Sequence, residues 1–149
     1  SDERKKAGLI LQKCLKIAPN NPLIISNVGR FLLEENNLDE AKKYIKKAIS
    51  LKPDFWIPYN NLAILEATIG NLIESEKNFH KVIEIYPNYL EAYVSLGEIK
   101  NDIFKVKEAE TLFLKSLDFL ASLTFLILLG SIYLNSTIPA LGFLSLIII

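Results

Sequence analysis

The chain has 149 residues, which suits one compact domain or a short array of repeats. Lysine plus arginine and aspartate plus glutamate each total 17, and that balance excludes a broad electrostatic hold on nucleic acid or anionic lipid. One cysteine, Cys14, and one histidine, His80, exclude an internal disulfide framework, a Cys-rich zinc site and every two-histidine metal motif. There is no methionine, so a processed product or a piece of something longer is expected. The charges are unevenly placed: all lie between Asp2 and Asp118, and residues 119–149 carry none.

Taken in chain order, the sequence opens on the polar run Ser1-Asp2-Glu3-Arg4-Lys5-Lys6, which is not a signal peptide. Pro19, Pro53 and Pro87 then follow at intervals of 34 residues. Small residues keep the same period: Ala7, Ala41, Ser75 and Ala109, and again Cys14, Ala48, Val82 and Ser116. So do the large ones, Leu11, Ile45, Phe79 and Phe113. Gly29, Ala63 and Gly97 form a further register, each following an apolar residue, with Ile25, Tyr59 and Tyr93 just upstream. Small side chains let two helices approach closely, and large ones fill the space beside them. Each proline ends a helix, because it lacks an N–H and disfavours helix in the residue before it. Asn21-Pro22 and Pro53-Asp54 supply N-cap or first-turn chemistry, and Asn36-Asn37 and Gly70-Asn71 mark turns. Turns are therefore expected near 20–22, 36–38, 53–55, 70–72, 87–89 and 103–105, between seven or eight antiparallel helices without strands.

This pattern resembles the tetratricopeptide repeat (TPR) family, whose unit is a helix pair of 34 residues. The resemblance implies an all-α, right-handed α-solenoid of about three to four units. Residues 1–21 read as the second helix of a partial unit; 22–55, 56–89 and 90–123 as whole units; and 124–149 as a degenerate or partial unit, or a hydrophobic or membrane segment. Three departures stand out. The family's aromatic position holds Leu32, Glu66 and Lys100; Pro58 sits early in its helix; and Ala121 stands where a fourth proline is due.

Beyond Ala121, Leu126, Leu129, Gly130 and Tyr133 restore the motif spacing with the phase one residue short, so 122–135 reads as a further first helix. Ten of the sixteen residues from Phe119 to Leu134 are Leu, Ile or Phe, and such a surface is not expected to face water. Three readings stay open: packing against further protein, a membrane span over 119–138, or an end without native role. Asn135-Ser136-Thr137 and Pro139 weaken the span and suit a bend between two helices.

Catalytic constellations are nearly absent. His80 follows core Phe79 and is expected in solvent; Cys14 holds a small packing position and reads as a buried, inert thiol. No glycine-rich phosphate loop exists, and the lysines over 42–47, Glu34-Glu35 and Glu108/Glu110 read as solvated faces. No enzyme, cofactor or metal is expected, and no nucleic-acid partner. What remains is binding of protein or peptide along the inner surface, lined by the first helix of each repeat. The candidate contacts are Asn27, Arg30, Asn60, Asn61, Ser95, Glu98 and Asn101. Asn27 and Asn61 are equivalent, and the family resemblance implies that asparagine there holds an extended ligand; the alternative is a bridge between helices. Glu91, Glu98 and Asp102 disfavour an acidic ligand, so a neutral or basic segment is expected. The runner-up function is a substrate-recruiting or membrane-tethering arm of a larger enzyme, such as a transferase. The expected location is cytoplasmic, with membrane association through 119–149 as the alternative.

Overall fold

The computed structural model describes residues 2–102 and 106–147, with side chains described for 2–101 and 107–127. Seven α-helices follow one another, and no strand occurs among the described residues. They are α1 (Asp2–Ile17), α2 (Pro22–Glu34), α3 (Leu38–Leu51), α4 (Trp56–Thr68), α5 (Leu72–Ile85), α6 (Leu90–Asp102) and α7 (Val106–Ile147). The pairs α2/α3, α4/α5 and α6/α7 are the tightest, and α3 on α4 and α5 on α6 join one pair to the next. This is an α-solenoid of antiparallel helix pairs. Five of the six expected turns are formed; the sixth, 103–105, lies outside the described residues.

Local chemistry sets the boundaries. The Asn21 side chain accepts hydrogen bonds from the backbone N–H groups of Leu23 and Ile24, and Pro22 opens α2 where its missing N–H costs nothing. Pro58 falls in the first turn of α4, where a backbone N–H has no intrahelical acceptor, so the helix begins at Trp56 without fraying. The turns within repeats end on left-handed residues, Asn36 at φ 59° and Gly70 at φ 79°. Around them Asn37 N–H donates to Leu32 O (2.9 Å) and Asn71 N–H to Glu66 O (2.8 Å), a Schellman closure of each first helix.

The periodic small residues lie at the helix contacts. Ala41, Ala48, Ala63 and Val82 are fully sealed, as is Ser75, whose Oγ donates to Ala63 O at 2.8 Å. A Cβ on Gly29 would fall 2.7 Å from Ile45 Cγ1, and one on Gly97 would fall 2.5 Å from the Phe113 ring. Two core clusters result. One joins Leu33, Ala41, Ile45, Leu62 and Leu65; the other joins Ala63, Phe79, Val82, Ala92, Leu96 and Ile99.

The far end departs from expectation. α7 runs 42 residues without a break, about 63 Å at 1.5 Å per residue. No turn separates the units expected over 90–123 and 124–149, because alanine replaces the helix-ending proline at 121 and nothing else from 106 to 129 breaks a helix. The bend suggested at 135–139 is absent too: a proline removes one backbone hydrogen bond, and the turns on either side continue. Among the described residues no helix is long and apolar enough to cross a membrane. Most of the candidate span 119–138 lies outside the residues whose side chains are described.

Candidate ligand-binding groove

The first helices α2 and α4 lie side by side, and α6 follows in the same role. The seven candidate residues divide by environment. Asn27, Glu98 and Asn101 are exposed, Arg30 and Ser95 are half-buried, and Asn60 and Asn61 are buried at 8% and 4% exposure. Asn27 and Asn61 therefore differ despite their equivalent places. Asn61 Nδ2 donates to Ser26 Oγ at 3.0 Å and Ser26 O at 3.3 Å, tying α4 to α2. Asn27 sits on α2, the first of the three first helices, and stays in solvent.

Asn60 is the unusual one. Its amide makes no hydrogen bond among the described residues, although the residue is more than nine-tenths buried. No buried side-chain nitrogen or oxygen among the described residues lacks a partner, so the Asn60 amide reaches solvent, although most of the residue is covered. Arg30 is held by Glu34 one turn on, at 2.8 Å. Across from it stands Tyr89, whose hydroxyl is raised above the ordinary tyrosine value by burial and by the Glu91 carboxylate, with Arg30 opposing. The Tyr89 ring packs 4.4 Å from Trp56, which stacks on Tyr86 at 5.4 Å. These aromatics border the polar residues, and periodicity in the sequence gave no sign of them.

Tyr59 and Tyr93, large apolar positions by sequence, also use their hydroxyls. Tyr59 Oη donates to Pro53 O at 3.1 Å and Tyr93 Oη to Pro87 O at 2.9 Å. Each closes the end of the preceding second helix.

Several surface readings change. Lys42 is not simply solvated: it pairs at 2.7 Å with Glu66, which is 2% exposed. Lys100, 6% exposed, pairs with Glu76 at 2.6 Å and with Glu108 at 2.8 Å. The reason is their place on the helices, where each second helix meets the following first helix. His80 is exposed as expected, with Nε2 3.7 Å from Glu76. Cys14 is half-buried rather than sealed, since α1 has a neighbour on one side only. An apolar cavity of about 250 Å³, lined by Gly8, Leu11, Leu15, Phe31 and Tyr44, lies between α1, α2 and α3, apart from the groove. No group of three or more His, Cys, Asp or Glu that could hold a metal occurs among the described residues.

Stacked helix pairs with this register form an α-solenoid similar to those of tetratricopeptide repeats. Residues 24–55 match the family described as tetratricopeptide repeat. The fold is shared with MamA from Desulfovibrio magneticus RS-1, with a TM-score of 0.70 at 19% identity over 81% of this chain and 68% of that one. A second crystal structure of MamA gives a TM-score of 0.68 at 19% identity, covering 79% of this chain and 69% of the other. In sequence, 66 residues are 35% identical to Protein O-mannosyl-transferase Tmtc3 of Drosophila melanogaster, spanning 44% of this chain and 7% of that protein.

Proposed function

We propose that this chain is a protein-interaction scaffold that holds an extended protein or peptide segment along α2, α4 and α6. The supporting observation is Asn60, on a first helix, whose amide reaches solvent and makes no hydrogen bond to a described residue. A side-chain amide both donates and accepts, which suits a peptide backbone. Asn27, Arg30, Ser95, Glu98 and Asn101 lie along the same helices and extend the contact. Glu91 and Glu98 favour a neutral or basic occupant over an acidic one. No step of catalysis is assigned to these residues.

The test uses Trp56, the single tryptophan, as a reporter beside the groove. Neutral, basic and acidic peptides selected from an array are titrated against the chain by intrinsic fluorescence. Neutral or basic binders should lose affinity in Asn60→Ala, about fivefold for one hydrogen bond near 1 kcal/mol. Binders that ignore Asn60→Ala, or acidic binders alone, would remove the groove reading.

The match to a protein named as an O-mannosyl-transferase favours a second reading: a recruiting or tethering arm of a larger enzyme. The complete open reading frame around this chain decides it, since a transferase domain on the same polypeptide is required.

A further inference from the structure

The two filled joints between repeats show what such a joint contains. In the first, Lys42 of α3 pairs with Glu66 of α4, and Ile49 packs against the core cluster that both helices share. In the second, Glu76 of α5 pairs with Lys100 of α6, and Ile83 packs against the core cluster that both helices share. One period further, α7 offers Glu110 and Leu117 at the same places. Glu110 is exposed with no ion pair among the described residues, and Leu117 is 57% exposed where Ile49 and Ile83 are half-buried. The joint is formed on one side only.

The helix that fits it is present in the sequence. Leu126, Leu129, Gly130 and Tyr133 give residues 122–135 the spacing of a first helix. Yet α7 is continuous through Ala121, and a single unbroken helix cannot double back over its own Glu110 and Leu117. We propose that a second copy of this chain covers the joint, the two α7 helices running antiparallel so that each copy's residues 122–135 complete the other's array. This is an exchanged element closed by two-fold symmetry.

Register supports it. In both filled joints the ion pair joins residues 24 apart, Lys42 with Glu66 and Glu76 with Lys100. Two α7 helices paired at that offset, shortened by the one-residue phase shift, cross at Ala121 and Ser122, small residues that permit close approach. Leu117 then lies beside the partner's Leu126, and Leu120 beside the partner's Leu123. All four are between 44% and 64% exposed in the single chain.

The experiment uses chain 1–149. Light scattering across micromolar concentrations should give twice the monomer mass, and Leu117→Glu should give the monomer mass with helical circular dichroism unchanged. In a Cys14→Ser background, Ala121→Cys should oxidise to a disulfide-linked dimer, since that position sits at the two-fold axis. Lys107→Cys, far from the axis, should not. A monomeric parent chain would overturn the proposal, as would a dimer indifferent to Leu117→Glu. So would absent cross-linking at Ala121→Cys, equal cross-linking at Lys107→Cys, or insertion of the chain into neutral phosphatidylcholine vesicles as a monomer.

Discussion

Glu66 in α4 and Lys100 in α6 stand one repeat apart at the same place in successive first helices, carry opposite charge, and are both nearly sealed from solvent. Each reaches back to the preceding second helix, where Lys42 and Glu76, again one repeat apart, carry the complementary signs. The pairs thus alternate along the array. A joint shifted by one whole repeat would set Lys42 against Lys100, or Glu76 against Glu66. Buried ion pairs add little net stability over apolar packing, but a mismatched one is costly, so this alternation specifies neighbours.

Glu66→Lys should therefore lose about 3 kcal/mol, near the lower end for breaking a buried pair because Lys42 retains 36% side-chain exposure. The exchange Lys42→Glu with Glu66→Lys should recover at least half of that loss. Urea unfolding at neutral pH measures both. Losses that simply add would show that the two side chains do not interact.

Lys100 gives the joint a pH dependence. Burial works against its charge, but hydrogen bonds to Glu108 and Glu76 outweigh burial and raise its pKa above the usual lysine value. A raised folded pKa means the stabilisation is complete below the unfolded value, about 10.4, and is lost as pH rises through the folded value. The thermal midpoint of the parent chain should fall across that alkaline window more steeply than that of Lys100→Met. Parallel curves would show that Lys100 is not the titrating group.

The solenoid was legible because its determinants are periodic. Pro19, Pro53 and Pro87, and the small residues facing Ile45 and Phe79, announce themselves at one spacing. The ion pairs were not read, since Glu66 and Lys100 looked like departures from an aromatic position. The signal was present in the opposite signs at 42 and 76, which only a comparison of offsets across repeats reveals. Asn60 and Asn61 show the reverse limit. Adjacent identical residues differ here because one faces Ser26 and the other does not, and residue type alone carries no orientation. At Ala121 the missing proline was visible, and its consequence is the 42-residue helix.

Gly29 and Gly97 should respond differently to alanine. Beside Gly29 the new Cβ would also lie 3.2 Å from Ile45 N and 3.3 Å from Ala41 O, backbone atoms that cannot step aside. At Gly97 the three nearest atoms all belong to the Phe113 ring, half-buried and able to turn. Gly29→Ala should cost about 2 kcal/mol and Gly97→Ala about 1 kcal/mol or less, since alanine's helix propensity offsets part of each clash. Equal losses in chemical denaturation would mean that ring and backbone yield alike.

The left-handed turn residues allow a test free of packing. A Cβ on Gly70 would meet nothing within 4 Å, so Gly70→Ala isolates backbone strain. The expected loss is about 1 kcal/mol, and Asn36→Ala should lose a similar amount while Asn36→Gly stays near the parent. Thermal unfolding of the three variants provides the comparison. An unchanged Gly70→Ala would show that the turn opens at no cost.

Asn60 and Asn61 separate binding from folding within a single dipeptide. Asn61→Ala removes the amide that spans to Ser26 and leaves Ser26 Oγ without that donor, so it should lower stability by about 1–2 kcal/mol. Asn60→Ala removes no hydrogen bond within the described residues, so its stability should match the parent. The affinities for a groove-bound peptide should run the other way, with Asn60→Ala the weaker binder once Asn61→Ala is compared at a temperature where both are folded. Measuring unfolding and titration on the same two proteins makes the crossing explicit. If Asn60→Ala destabilises the chain as much as Asn61→Ala does, its amide belongs to the fold and not to a ligand.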